Sequence, residues 1–240
     1  MKAELYICDD YALDKSTDLA IEILASKGKI DGASILATHL RDHDLKKLKC
    51  KLGLHLNLTE GKALCPLSIK SKLTDKHGKF KGLSGLFFGL ITGSIKKEVI
   101  EKEIIAQIDF LKKRNIMIHY LDGHQHIQFL PWIKPLILSS LEATDLKSIR
   151  IREGMFLYPT LNLKYFILNC MSKISKPMTA QLYGLVDYNN AESHKISKKK
   201  YSKTEFILHV AHPKIPIQSL DQTSYNFNDR VKQFQRRLRA

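Results

Sequence analysis

The feature that most constrains this chain is a repeated alternation. Short apolar runs, too short for helices, are separated by longer stretches in which apolar residues recur every three or four positions. Leu5–Cys8 reads as a buried strand that ends abruptly at Asp9-Asp10. Residues 16–27 read as a helix with Leu19, Ala20, Ile23 and Leu24 on one face, Ser16 as its cap and Gly28 as its stop. Strand readings follow at Ala33–Ala37 and Leu52–Leu58. Ser94 is placed to cap a helix over 95–113, with Ile95, Val99, Ile104, Ile108 and Leu111 on its apolar face and Glu98 and Lys102 as a favourable pair. Met117–Leu121 returns as a strand, and Pro131 opens a helix to about Glu142. Ser148–Ile151 and Phe206–Val210 complete the strands. Strand and helix in turn over the whole length predict an α/β fold with largely parallel strands. No repeat or linker divides it, so residues 1–240 read as a single domain with one large core. Residues 61–93, rich in Lys and Gly, and the polar stretch 187–204 fall outside the pattern and read as active-site loops or insertions.

Charge raises a question of partners. The chain holds 39 Lys+Arg against 24 Asp+Glu, a formal net charge of +15, which suggests nucleic acid, membrane or another anion. The excess is lysine, however, with only eight arginines, and base and phosphate recognition leans on the planar arginine fork. Residues 41–81 and 195–203 carry the lysine crowding, whereas residues 1–38 hold seven acids and four bases. Nucleic acid is thereby disfavoured; the lysines read as solvated surface, or as the approach to a site for an anionic ligand. The longest uncharged stretch, Gly82–Ile95, contains four glycines and falls short of the ~20 apolar residues that span a bilayer. Cys8, Cys50, Cys65 and Cys170 form no metal or redox spacing, and no leader is visible. A cytoplasmic location is expected.

Chemistry-bearing residues recur where strands end. Asp9-Asp10 follow the first strand, and His55 and Asn57 point to one side of the third. Asp122, His124 and His126 follow the fourth; Arg150 and Arg152 alternate at the next, and His209 and His212 lie at the last. Ligands of parallel α/β folds gather at the carboxyl ends of strands. Taken singly, each has an ordinary reading as a cap, a turn residue or a core histidine. Taken together they suggest one carboxylate and two imidazoles around a divalent metal, with positions open to water and substrate.

At these residues the sequence resembles the YdjC/ChbG-like carbohydrate deacetylases. The family's strand followed by Asp-Asp-Phe-Gly stands here as Ile7-Cys8-Asp9-Asp10-Tyr11-Ala12. Its GLHLNLTEG block is complete at Gly53–Gly61; its LDSHHHVH block is Leu121–Gln128, and its final CHP is Ala211-His212-Pro213. The resemblance covers about residues 5 to 230 and implies a distorted (β/α) barrel. It implies Asp10, His55 and His124 as metal ligands, Asp9 as general base and His212 as general acid. Asn57, His126, Arg150 and Arg152 are the further candidates for substrate contact. The implied reaction removes acetyl groups from N-acetylated sugars with one divalent ion, Mg or Zn first and Mn, Co or Ni as alternatives, and a homodimer is implied as well. Gln125 and Gln128 replace family histidines, and Ala12 replaces a glycine and would be strained at positive φ. The chain also ends in a basic helical stretch where relatives continue into another strand, so a shortened C-terminus is expected. Two other readings remain: another metal-assisted hydrolase such as a phosphoesterase, and a non-catalytic sugar- or polyanion-binding protein.

Overall fold

Eight parallel strands make one curled sheet, a distorted barrel whose strands run in the order β5-β4-β3-β2-β1-β8-β7-β6. They are β1 Glu4–Tyr11, β2 Gly32–Ile35, β3 Lys51–Leu56, β4 Tyr120–Gly123, β5 Arg150–Ile151, β6 Gly154–Phe156, β7 Tyr183–Asp187 and β8 Thr204–Leu208. Helices α1 Lys15–Ser26, α2 Pro66–Ile69, α3 Gly82–Ile91, α4 Lys97–Lys112, α5 Lys134–Ala143, α6 Leu163–Ile174 and α7 Phe227–Arg239 complete the described structure. The computed structural model describes residues 4–41, 45, 48–156, 163–174, 183–187, 204–215 and 227–240. Most of the predicted polar loop 187–204 and all of the lysine run 195–203 lie outside the described residues. Among the described residues β5 and β6 share no ladder, so the barrel is open at that seam.

Parallel strands covered on both faces must be apolar nearly throughout. Leu54, Leu56, Leu58, Phe206 and Leu208 are all fully buried. Helix α4 buries Ile104, Ile108 and Leu111 on the expected face. Each such side chain contributes roughly 1.5–3 kcal/mol, far more than helix propensity supplies. The same face hides two polar residues that the apolar pattern did not reveal. Glu103 accepts the amides of Leu64 and Cys65 at 3.0 and 2.9 Å, and Gln107 exchanges hydrogen bonds with the backbone of Asn57. These bonds fasten the segment after β3 to α4.

Several boundaries differ from expectation, for local reasons. The cap of α1 is Asp14, whose carboxylate accepts from Thr17 N at 2.9 Å. Ser16 instead ties α1 to the turn after β8, donating to Ile215 O and accepting from His212 N. Helix α4 begins at Lys97 without a side-chain cap, and α5 begins at Lys134 with Pro135, not Pro131, in its first turn. The fourth strand lies three residues later than predicted, since Met117 is largely exposed and the ladder to β3 starts at Tyr120. Residues 61–93 contain α2 and α3, and β6, β7 and α6 are further elements that the periodicity did not announce.

Register decides what the strand ends bring together. In the β3–β4 ladder His55 stands opposite Asp122, and in the β2–β3 ladder Ser34 stands opposite Gly53. Gly53 is required by a close approach: a Cβ there would lie 2.2 Å from the Tyr120 ring. Gly53→Ala is therefore expected to destabilise the fold by about 1–3 kcal/mol through overpacking, read as a lower urea midpoint at unchanged slope.

Candidate metal centre

The end of β1 and the residue after it are strained. Asp10 and Ala12 have φ of 69° and 80°, and Gln125 and His126, after β4, have 53° and 62°. Four of the six non-glycine residues with positive φ among the described residues thus flank the strand ends where the candidate ligands sit. Such strain is held in place by surrounding bonds. Leu36 N is bonded to Tyr11 O, Ala12 N donates to Asp18 Oδ1 at 2.7 Å, and the Tyr11 hydroxyl donates to Glu22.

Across these turns three side chains meet. His55 Nε2 lies 3.2 Å from Asp10 Oδ1, His124 Nδ1 lies 3.0 Å from the same oxygen, and the two imidazole nitrogens are 3.3 Å apart. All three residues are buried. Ligand atoms bound at about 2.0–2.1 Å to a shared ion stand about 2.8–3.4 Å apart in octahedral or tetrahedral arrangement, so the donor set fits a divalent cation. Asp10 Oδ2 is buried without a hydrogen bond; Arg230 and His209 approach it at 3.6 and 3.9 Å.

Outer partners orient both imidazoles. His55 Nδ1 lies 2.6 Å from Asp122 Oδ1, leaving Nε2 turned to Asp10. This is the carboxylate–histidine relation that fixes a metal ligand's tautomer. His124 Nε2 faces Glu60 Oε2 at 3.4 Å, and Gln125 Nε2 donates to Glu60 Oε1 at 2.7 Å. The glutamine at a family histidine position thus steadies Glu60. Gln128, the other such replacement, is buried and donates to Arg152 O.

Arg152 sits beneath this centre, fully buried. Its Nη1 bonds Asp9 Oδ1 at 2.7 Å and also Asp122 Oδ2, and its Nε lies 2.6 Å from Glu205 Oε1. Ser34 Oγ donates to Asp122 Oδ2 at 2.7 Å. Asp9, His55 and Asp122 form a second group of potential ligands, but the guanidinium already occupies both of its carboxylates. A cation there would face a fixed positive charge, so the Asp10–His55–His124 set is the better centre.

Electrostatics follow the geometry. Burial would raise the Asp10 carboxyl, but hydrogen bonds to His124 and His55 outweigh it and hold it well below its ordinary range. Burial opposes the charged imidazoles, yet their carboxylate partners raise both, His124 to about 9. Asp9 goes the other way: burial pushes it up to about 6 against the pull of Arg152.

A cavity of about 1570 Å³ opens beside the centre, lined among others by Asp9, His39, His55, Glu60, His124, His126 and His209. Gly61 lets its rim close, having φ of 71° and His39 so near that a Cβ would lie 2.7 Å from the ring. His126 lines the cavity, edge-on to Phe156 at 5.0 Å. Other candidates lie elsewhere. His212 is not among the lining residues; its amide is bonded to Ser16 and its ring stands 6.0 Å from Phe234, while His209 lines the cavity in its stead. Asn57 is buried, and its side chain shapes the turn before Glu60, accepting from the amides of Thr59 and Glu60 and donating to Glu60 O. Arg150 grips Glu205 through both Nη atoms, at 2.8 and 3.2 Å, and Arg152 is buried under the carboxylates. Glu60, Ser34, Asp122 and Glu205 complete the site; only the position of Asp122 at a strand end hinted at it in the sequence.

The model of the YdjC-like protein family matches residues 5–237. The chain belongs to that family. It is similar to the carbohydrate deacetylase of Xenopus laevis, 32% identical over 115 residues, covering 47% of this chain and 37% of the relative. The carbohydrate deacetylase of Danio rerio is 29% identical over 149 residues, covering 60% of this chain and 47% of the relative. The matches therefore span less than half the length of either relative. Among solved structures, a protein of Enterococcus faecalis named for cellobiose-phosphate cleavage superposes with a TM-score of 0.66 at 14% identity, over 97% of this chain and 88% of that one. That likeness bears out the distorted barrel. No helix of the described residues is long and apolar enough to cross a membrane.

Two tests follow from the geometry. Ala12→Gly should stabilise the chain by about 0.5–1 kcal/mol, since relief of a positive φ of about 1–2 kcal/mol exceeds the added chain entropy of glycine; the urea midpoint reads it. Burial would raise the Glu205 carboxyl, but Arg152 and Arg150 outweigh it and hold it below the usual range. A depressed carboxyl adds stability above its unfolded pKa and loses it as pH falls through the folded value. Stability should thus fall between neutral pH and about pH 3, and Glu205→Gln, weaker at neutral pH, should show a smaller fall in urea titrations at both pH values.

Proposed function

We propose that this chain is a metal-dependent hydrolase that removes the acetyl group from an N-acetylated sugar. The observation that most supports the reading is the meeting of Asp10, His55 and His124 donor atoms within 3.3 Å of one another beside a cavity. Family membership, with relatives that are carbohydrate deacetylases, adds the substrate class.

Asp10, His55 and His124 would hold the ion, with Zn or Mg the first candidates and Mn, Co or Ni as alternatives. When bound, a divalent metal supplies a Lewis acid for the acetyl carbonyl and lowers the pKa of a water ligand. The remaining steps belong to the protein. Asp9 lines the cavity with Oδ1 held by Arg152, and takes the proton of the attacking water. The leaving amine needs a proton as the tetrahedral intermediate collapses. His209, which lines the cavity, delivers it; His212, expected from the resemblance, is bound instead into the turn against Ser16. Glu60 and Asp122 hold the imidazoles of His124 and His55 in place. His126 contributes to the wall on which the sugar rests. A two-metal phosphoesterase is disfavoured because Arg152 fills the second carboxylate pair.

Purified protein supplied with Zn²⁺ or Mg²⁺ should release acetate from N-acetylglucosamine oligomers, and a chelator should stop it. His55→Ala should lower the rate by more than about 100-fold with unchanged circular dichroism, and Glu60→Ala by about 10–100-fold. His209→Ala should be far more harmful than His212→Ala. Full activity in His55→Ala would remove that residue from the centre.

A further inference from the structure

Helix α3 carries no charged residue, and of its ten residues only Leu86 and Gly89 are buried. A surface helix ordinarily turns its apolar stripe inward. Here Leu83, Phe87, Phe88 and Ile91 are 41%, 38%, 67% and 58% exposed, with Trp132 stacked edge-on against Phe87 at 5.9 Å. Leu67 and Ile69 of α2 are exposed as well. This apolar surface is continuous with the site, because Leu83 and Phe87 line the same cavity as Asp9, His55 and His124.

Lysines collar it. Residues 61–97 contain eight lysines, all exposed, one acid, Asp75, and no arginine. Local contacts gather six of them around the helix. Lys62 and Lys79 pair across an antiparallel bridge, and Lys81, which caps α3, donates to Lys72 O at 2.9 Å. Ile95 packs against Gly89, bringing Lys96 and Lys97 to the far end of the helix. A second copy of this face would set lysines against lysines. Nucleic acid would use the lysines but gain little from Leu83, Phe88 and Ile91, which offer base edges no hydrogen bond. An anionic bilayer takes both features: the aliphatic and aromatic side chains enter the interface while each lysine meets an anionic headgroup.

We propose that α3 and its lysine collar dock on an anionic lipid surface, turning the cavity mouth to the membrane so that the acetylated sugar is taken from a lipid-borne glycoconjugate. Only the substrate clause rests on the deacetylase reading; docking does not.

Trp132 is the sole tryptophan and sits at this surface, so it reports docking directly. Adding vesicles of equimolar phosphatidylglycerol and phosphatidylcholine to the full chain should shift its emission to the blue and sediment the protein. Phosphatidylcholine alone should do neither, and raised salt should weaken the effect. The double variant Phe88→Glu with Ile91→Glu alters two exposed side chains outside the cavity lining. It should bind anionic vesicles at least about tenfold more weakly while releasing acetate from a soluble N-acetylated sugar at the wild-type rate. Lack of vesicle binding, equal binding to phosphatidylcholine, or undiminished binding by the double variant would overturn the proposal. So would a dimer, seen by light scattering, that the double variant dissociates without any vesicle binding by the wild type. Vesicle binding without acetate release would sink the deacetylase reading and leave docking standing; acetate release without vesicle binding would do the reverse.

Discussion

The structure around the centre depends on one buried guanidinium. Arg152 faces Asp9, Asp122 and Glu205, and all four residues are buried. Burying any one of these charges alone would be prohibitive, and together they compensate only while every partner is present. Through Asp122 the same guanidinium sets the ring of His55, and through His55 it sets the point at which Asp10 and His124 meet. Through Asp9 it positions the proposed base. Arg150 doubles the hold on Glu205, which lies in β8 and so fixes the strand that leads to His209. One residue at the seam of the barrel thus couples β1, β4 and β8.

Two layers of different character result. Beneath and at the centre, charges are dense, buried and paired, and strained turns present them. Around the cavity mouth the chain is lysine-rich, apolar and exposed. The net charge of +15 therefore says little about the reaction. Residues 1–38, which carry Asp9 and Asp10, have an excess of acid, while described lysines collect on the 61–97 segment.

The strained turns connect the layers. Positive φ at Asp10 and Ala12 swings the carboxylate of Asp10 off the strand, and positive φ at Gln125 and His126 folds the chain back after β4. In consequence His124 faces the centre through Nδ1, His126 reaches the cavity wall, and Gln125 reaches Glu60. The glutamine that departs from the family pattern is drawn in this way to Glu60, which faces His124.

Much of this was legible in the sequence, because alternation and periodicity are local. The parallel α/β order followed from apolar runs and helical faces, and Asp9, Asp10, His55 and His124 stood out because they interrupt or follow those runs; the structure carries β1 on to Tyr11 and ends β3 at Leu56. Spacing cannot encode which distant side chains meet. Arg152 lies 143 residues from Asp9, and only the barrel's curl brings them to 2.7 Å. Asn57 shares a face with His55 in the strand pattern, yet its side chain is consumed by the turn it shapes. His209 and His212 are equivalent by residue type and position near β8; the bonds from Ser16 to the turn decide which reaches the cavity. The sequence alone determined the alternation of strand and helix and the residue types that follow the apolar runs, but not β6 and β7, which carry no such signal. Tertiary structure decided the partners, because hydrogen bonds between residues far apart in sequence depend on sheet register and closure, which no local pattern specifies.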